Sequence, residues 1–558
     1  MSKKKLILLS LLSGILMTLA WVKVMSFGFI MLVAFIPLLF MEDYIAHNNK
    51  DKRFCSTFAF IYSYPAFFIF TFVNTWWISN ASPIGYIVPV AEAAFMSIVF
   101  QLYSYTKKVA KQRQGAYFFI IFYWLTFEYI QYNWDINFPW LNLGNSFASY
   151  PILIQWYSVL GMEGGTLWIL LSNILIYLCI LSLRTNHNSQ TSTPTPSFFH
   201  RYKYVLFAIL ILVVPITWSI VLWNTYKDDS SSSSKVLVVQ PNLDPYTEQY
   251  VLSPQEVIYR VEDIASPYMG KDIDFLVLPE SCIQEYAWED LLLDTWSIQE
   301  LTKFNQKTTD CQIIAGISSR KLLPEGIKTE AAREVNNMKG RYFESCNTAL
   351  MFNSAVSLSD IQLRHKSVLV VGVEKLPFKK YLPFVENLAL NMGGTVGTLG
   401  IDASATNFYE KKKNIQVGVP ICWESIDGEY TRQFVNNGAN FLQIITNVGW
   451  WGDTPGYKQY FAISRLRAIE NRRYVSICAN TGISGLINAK GQVLTKSKYW
   501  TQDTLKYDVP NLHQKTFFSS HGDMFMRPFS FFSVLLLAYT IIRNRIEKKL
   551  NKKKTINA

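Results

Sequence analysis

The chain has 558 residues, half of them apolar and 15% aromatic, with only 17% charged, against roughly a quarter in soluble domains; this excludes an ordinary soluble domain and points to a membrane protein with a sizeable water-facing part. The formal charge of +12 is not read as nucleic-acid binding, because the basic residues concentrate beside apolar segments, where a membrane orientation signal places them. Seven cysteines without a C-x-x-C pair and six histidines without H-E-x-x-H leave no disulfide framework or zinc motif, and neither a metal nor another cofactor is expected.

Runs near the 20 apolar residues needed to cross a bilayer predict eight spans, at 5–22, 27–41, 55–79, 86–106, 116–130, 158–183, 204–224 and 525–542. The first follows Lys3-Lys4-Lys5, but no small-residue cleavage site follows it and further spans come after, so it reads as a span rather than a signal peptide. Lys50, Lys52 and Arg53 lie between spans two and three, and Lys107, Lys108, Lys111 and Arg113 between four and five. Arg184, Arg201 and Lys203 lie between six and seven, and Arg543, Arg545, Lys548, Lys549 and Lys552 to Lys554 follow the last. The alternate loops 80–85 and 131–157 hold no Lys or Arg. Only a count of eight puts every basic segment on one side, and short basic loops stay in the cytoplasm. A multi-pass membrane protein follows, with 225–524 on the side opposite the cytoplasm; in a Gram-negative bacterium these are the inner (cytoplasmic) membrane and the periplasm. Glu92 and Glu163 fall within spans four and six, which makes them functional candidates or acids at the outer interface.

The Ser-, Thr- and Pro-rich stretch 186–197 reads as a cytoplasmic loop, and Asp228 to Ser234 as a flexible connector. Beyond it come short Val-, Ile- and Leu-rich runs: KVLVVQPN, DFLVLPE, CQIIAGISS, TALMFN, IQVGVPICWE and NFLQIITN. Such runs suit strands buried on both faces, and with helical stretches at 254–269 and 456–472 they predict a layered α/β domain. The expected organisation is a seven-helix membrane domain at 1–227, a catalytic domain at 235–510, a membrane helix at 525–542 and a basic cytoplasmic tail at 543–558.

Several runs deliver polar residues at or past their carboxyl ends, where α/β sheets bind ligands: Glu280, then Cys422 and Glu424, with Lys366 and Glu374 between. A thiolate is a competent nucleophile, a carboxylate can take its proton, and a lysine can stabilise an oxyanion. Taken singly, a cysteine in an apolar strand is core, and a Glu or Lys past a strand is surface. Cys282, Cys311, Cys346 and Cys478 are assigned no chemistry, although Cys282 competes by its closeness to Glu280.

In order, LVLPES, RHKSVLVVGVE and VGVPICWES resemble the carbon–nitrogen hydrolase (nitrilase) superfamily over about 236–500. The resemblance implies an αββα sandwich with Glu280, Lys366 and Cys422 as its triad. The run from TNVGWWGDTPGY onward is similar to the family's closing segment, with Asn447, Trp450, Arg467, Glu470 and Asn480 at its characteristic positions. Fusion to spans on both sides is similar to the apolipoprotein N-acyltransferase family. So are VVQPNLDP and NFPWLNLGNSFASYPILIQWYSVLGMEGG, the latter with Pro139, Trp140, Gly144, Gly161 and Glu163. This implies accessory roles near the triad for Glu374, Glu424 and Trp423, and makes Trp140, Asn447 and Trp450 candidate substrate-binding residues. It also implies a phospholipid acyl donor, phosphatidylethanolamine, and a diacylglyceryl apolipoprotein acceptor, joined through a thioester on Cys422. One segment departs from the family: its Leu-Val-Pro-Phe-Gly-Glu is here Leu369-Val370-Val371-Gly372-Val373-Glu374. The competing readings are a membrane-tethered amidase using water, and a transporter or scaffold, against which no repeat among the spans is seen.

Overall fold

The computed structural model describes residues 3–48, 55–81, 83–111, 114–188, 198–270, 272–308, 310–354, 357–378 and 397–556. Lys50, Lys52, Arg53, Arg113 and most of 186–197 lie outside these. Among the described residues seven helical stretches are long and apolar enough to cross a membrane: Lys3–Val22, Gly28–Asn48, Ser56–Thr75, Ile87–Val109, Tyr157–Arg184, Tyr202–Thr225 and Phe517–Leu550. They coincide with seven of the eight expected spans. The remaining one, the fifth at 116–130, is a 3-10 turn over Gln114–Phe118 that runs into a 15-residue helix, Phe119–Asn133. At about 1.5 Å per residue in the helix and about 2.0 Å in the turn, the two together reach about 32 Å, against a hydrocarbon core of about 30 Å. The helix's Ile120, Ile121, Trp124 and Leu125 are buried in the bundle. Lys107, expected in a basic loop, is also buried, paired with Glu42 and Asp43. Glu92 is equally enclosed and accepts from Gln131 Nε2 at 2.7 Å.

The remainder carries fourteen described strands: β1 (Ser233–Gln240), β2 (Phe275–Val277), β3 (Ile283–Trp288), β4 (Gln312–Leu322), β5 (Arg333–Glu334), β6 (Tyr342–Phe352), β7 (Gln362–His365), β8 (Phe408–Glu410), β9 (Ile415–Gly418), β10 (Phe441–Thr446), β11 (Val475–Ala479), β12 (Gly485–Ile487), β13 (Val493–Lys496) and β14 (Asp503–Pro510). One sheet runs β14-β1-β2-β4-β6-β5, with β3 on β4 and β7 on β6, and the other runs β13-β12-β11-β10-β9-β8. β1, β2 and β4 are mutually parallel, as are β9, β10 and β11.

The layers follow from side-chain alternation along a strand. Val236 and Val238 of β1, Phe275 and Val277 of β2, and Ile314 of β4 share one core with Val417, Phe441, Ile445 and Cys478 of the other sheet. Leu237, Leu276 and Ile313, one residue out of phase, face instead the helices Pro254–Ala265 and Trp296–Thr308 through Val257, Ile258, Val261, Ile298 and Leu301. On the second sheet Leu442, Ile444, Val475 and Ile477 pack against the helices Gly428–Asn436 and Pro455–Asn471, in a core continuous with the membrane helices. Each such fully buried side chain contributes about 1.5–3 kcal/mol. The order is helix, sheet, sheet, helix, with the second helical layer lying on the membrane bundle. Local sequence starts the helices: Ser253 and Glu256 form a capping box, Asp427 accepts from Tyr430 N–H, and Thr454 caps Pro455–Asn471.

Candidate functional site

The carboxyl ends of β2, β9, β10 and β11 open on one rim. The chain leaving β2 reaches Glu280, that leaving β9 reaches Cys422, and that leaving β10 reaches Asn447. β7 pairs antiparallel with β6, and β6 antiparallel with β4, so β7 ends on the same rim, and Lys366 is its next residue.

Lys366 is 1% exposed. Its Nζ donates to Oε1 of Glu280 at 3.0 Å and to Oε1 of Glu374 at 2.9 Å. Asn347 Nδ2 donates to the same two oxygens at 2.8 and 2.9 Å. Burial pulls the lysine down, but the Glu280 and Glu374 carboxylates hold its ammonium well above the usual lysine range. Glu280 Oε2 accepts the Asn447 amide at 2.9 Å. Cys422 is buried and lies within the fields of both charges: burial and then Glu280 push its thiol up, Lys366 draws it down, and it stands at about 12. The cysteine therefore rests as a thiol and needs a base. Its backbone takes φ 47°, a left-handed conformation uncommon outside glycine. Its carbonyl accepts from Ser425 Oγ at 2.8 Å and Tyr460 Oη at 3.0 Å, which fixes the sharp turn after β9.

Glu424 is fully buried and accepts four hydrogen bonds. Arg364 supplies two, at 2.7 and 2.8 Å, and the amides of Ile421 and Ser367 supply one each, at 2.7 and 2.6 Å. One carboxylate thus ties the chain before the cysteine to the chain after the lysine. Glu374 is returned to the site by a turn in which its amide and that of Lys375 both reach the Val370 carbonyl, at 2.9 and 3.2 Å. Gly372 stands there at φ 86°, so the altered segment keeps its glutamate by placing glycine where the left-handed turn requires it.

Trp423 stacks on Phe138, with ring centroids 5.9 Å apart, and on Trp140, at 5.5 Å. Trp140 is fully buried, donates to Gln459 Oε1 at 2.8 Å, and meets Trp77 and Trp451 at 5.0 and 5.5 Å. It thus forms part of an aromatic wall between the bundle's outer loops and the cysteine turn. Trp450 is partly exposed and faces Tyr246 and Tyr250. Asn447 also reaches Gln249 through its side chain. Asn480 clamps Leu243 through both its amide atoms, at 2.8 and 2.9 Å. Glu470 accepts from Arg467 at 2.9 Å and from the Met162 amide at 3.0 Å, which fastens Pro455–Asn471 to the membrane helix kinked at Gly161, where φ is 67°. Glu163 is buried beside that kink, near Glu470.

Cys282 is buried in the other core, beneath the outer helices, and burial raises its thiol to about 12. Glu289, Cys346 and His365 place one potential ligand atom each within 4.8 Å of one another. Both imidazole nitrogens of His365 are engaged with carboxylates, Nδ1 with Asp402 at 2.6 Å and Nε2 with Glu289 at 2.8 Å, so the trio reads as an ion-pair cluster. Sequence reasoning passed over Asn347, Tyr250, Arg364 and His365. Asn347 carried a signal, as an amide in the apolar run TALMFN's own strand. Tyr250 lies near Glu280 and Glu374, and burial holds its hydroxyl above the usual range; nothing in its neighbourhood marked it.

Comparison with known proteins places this geometry. The family described as "Apolipoprotein N-acyltransferase N-terminal domain" matches residues 13–175, and "Carbon-nitrogen hydrolase" matches 235–516. The chain is similar to the apolipoprotein N-acyltransferase of Chlorobaculum tepidum, 27% identical over 88% of either chain. It is 24% identical to that of Geobacter metallireducens, over 93% of this chain and 92% of the relative. It is also 24% identical to apolipoprotein N-acyltransferase 1 of Treponema denticola, over 97% of either chain.

Proposed function

The chain belongs to the carbon–nitrogen hydrolase family, joined to an apolipoprotein N-acyltransferase N-terminal domain, and is an acyltransferase of the membrane; from that premise we propose that it moves a fatty acyl chain from phosphatidylethanolamine to the N-terminal amino group of a diacylglyceryl apolipoprotein. The division of labour proposed is a membrane domain at 1–227, a catalytic domain at 235–510 on the periplasmic side of the inner membrane, a membrane helix at 525–542 and a basic tail at 543–558.

Glu280 takes the Cys422 proton on Oε2, the oxygen that carries only the Asn447 amide. The thiolate attacks the ester carbonyl, and the oxyanion forms against Lys366 and backbone N–H groups. The tetrahedral centre collapses, the C–O bond breaks, and the lysophospholipid alkoxide leaves with the proton held by Glu280. The thioester on Cys422 then meets the lipoprotein's neutral amine. Glu280 accepts a proton as the C–N bond forms, and passes it to the departing thiolate. Both substrates are anchored in the same leaflet, so a site held at the outer ends of the helices replaces three-dimensional search by positioning.

The observation that carries this reading is the Glu280–Lys366 pair beside a buried Cys422 whose turn is walled by membrane-domain aromatics. The test incubates the protein with phosphatidylethanolamine bearing a labelled acyl chain and an apolipoprotein. Hydroxylamine-sensitive label should appear on the wild type and be absent from Cys422→Ala, and mass spectrometry should find the N-acylated lipoprotein. Label in the alanine variant would overturn the reading. Free fatty acid without lipoprotein acylation would instead support an amidase-like enzyme using water.

A further inference from the structure

Three consecutive residues, Arg364, His365 and Lys366, are buried and each faces carboxylate. Arg364 pairs with Glu424, and Lys366 with Glu280 and Glu374. His365 has no part in the chemistry proposed above, yet both nitrogens of its ring meet carboxylate. Asp402 grips it twice, Oδ2 accepting its amide at 2.7 Å and Oδ1 facing Nδ1 at 2.6 Å. Glu289 Oε1 faces Nε2 at 2.8 Å and also accepts from Ser319 Oγ at 2.7 Å. A neutral imidazole has one N–H and one lone pair. With a carboxylate oxygen at hydrogen-bond distance from each nitrogen, the neutral form would set a lone pair against a carboxylate. Only the form protonated at both nitrogens satisfies both contacts.

We propose that His365 is a positioning residue of the acyl-transfer site, held as an imidazolium between Asp402 and Glu289 so that the strand end presenting Lys366 is fixed in three dimensions. The inference rests on the reading of Lys366 as the oxyanion-facing cation. The two anchors come from separate parts of the chain, Glu289 from the turn after β3 and Asp402 from the segment leading to β8. Ser367 Oγ adds a bond to the Asp402 carbonyl at 3.1 Å. The residues on both sides of Lys366 are therefore tied to Asp402, which leaves its side chain to meet Glu280 and Glu374. The other charged or titratable groups at this spot are Cys346 on β6, Lys321 on β4, which acts on Glu289, and Arg364, which acts on Asp402. Burial works against the charge on His365, but Asp402 and Glu289 carry it up to about 9. Deprotonation there removes one of the two bonds and loosens Lys366. Burial and Glu280 hold Cys422 up at about 12, and Glu280 and Glu374 hold Lys366 above the usual lysine range, so a limb near pH 9 is assigned to His365 rather than to either of them, and its absence from His365→Gln checks the assignment.

Two measurements on the full-length protein in lipid nanodiscs test this. With histidine labelled at Cε1 with carbon-13, the resonance missing from His365→Gln should titrate near 9, and a midpoint near the ordinary value of about 6.5 would overturn the proposal. In single-turnover thioester formation from acyl-labelled phosphatidylethanolamine between pH 6 and 10, the wild type should fall off near pH 9. His365→Gln should be slower by roughly tenfold at pH 7, the weight of one charge-assisted hydrogen bond, and lack that limb. Asp402→Asn should move the limb down by about one unit. A His365→Gln rate within twofold of wild type with the limb unchanged would sink the positioning role. So would one equivalent of zinc in the purified protein whose chelation stops acylation, since Nε2 would then be a ligand. A wild type that forms no thioester at any pH fails the reading of the triad, and the carbon-13 titration still decides whether His365 is an imidazolium.

Discussion

Glu280→Gln separates the base from everything else at the site. Glutamine keeps an oxygen for Lys366 and Asn347 but cannot accept the Cys422 proton. With the thiol pushed up to about 12, roughly one molecule in 30,000 is thiolate at pH 7.5, against about one in ten for an ordinary cysteine. Unassisted attack is therefore about 3,000-fold slower than that of an exposed cysteine of the same reactivity. Loss of the Glu280 charge also lets the thiol fall somewhat, because that charge is the second cause of its elevation. The expected loss at pH 7.5 thus lies between about a hundredfold and a thousandfold, within the 10²–10⁴ ordinarily supplied by a positioned base. The assay is rapid-quench thioester formation from acyl-labelled phosphatidylethanolamine. The variant's residual rate should rise about tenfold per pH unit from 7 to 9, since hydroxide replaces the carboxylate, while the wild type stays nearly flat over most of that range. A Glu280→Gln rate within tenfold of wild type at pH 7.5, or a flat profile, would refute the assignment of Glu280 as base.

Arg364→Met leaves Glu424 buried without its cation and should cost about 3–5 kcal/mol, while Arg364→Met with Glu424→Gln should recover part of it; thermal unfolding of the purified chain measures both. Folding raises His365 from about 6.5 to about 9, so its contribution, on the order of 3 kcal/mol, is complete below pH 6.5 and is lost as pH rises through 9; thermal unfolding between pH 6 and 10 should show the decline, and His365→Gln should flatten it. Asp135 bonds Lys375 at 2.8 Å and the Phe378 amide at 3.0 Å, and the pair is more than one-third exposed. Asp135→Ala should therefore change stability by less than about 1 kcal/mol, but by freeing the turn that carries Glu374 it should slow thioester formation about threefold. Single cysteines placed at Ser231 and at Asn544 should label with an impermeant maleimide from opposite sides of the membrane.

The apolar runs marked the long helices because length and hydropathy are local properties. The 116–130 run is helical throughout, but its first turns are 3-10 and the regular α-helix begins only at Phe119. The central strands β1, β2, β4, β6, β9 and β10 were legible as short apolar runs. β13 and β14 were not, since they lie at sheet edges with polar, partly exposed side chains. Glu280 and Cys422 stood out because each follows such a run. The structure brings Glu280 within 3.0 Å of Lys366, a meeting of residues 86 positions apart that no local pattern contains. Arg364 and His365 drew no reading, because their carboxylate partners, Glu424, Glu289 and Asp402, come from distant turns.

The stacking of Trp423 on Phe138 and Trp140 has a consequence for any attempt to dissect the molecule. The residue next to the nucleophile takes both its neighbours from a loop that belongs to the helical half. A soluble fragment cut at the connector could still form its two sheets, yet its Trp423 would lose both of its stacking partners. Such a fragment should fold and remain idle, and adding back the helical half in trans should be required before its cysteine becomes reactive.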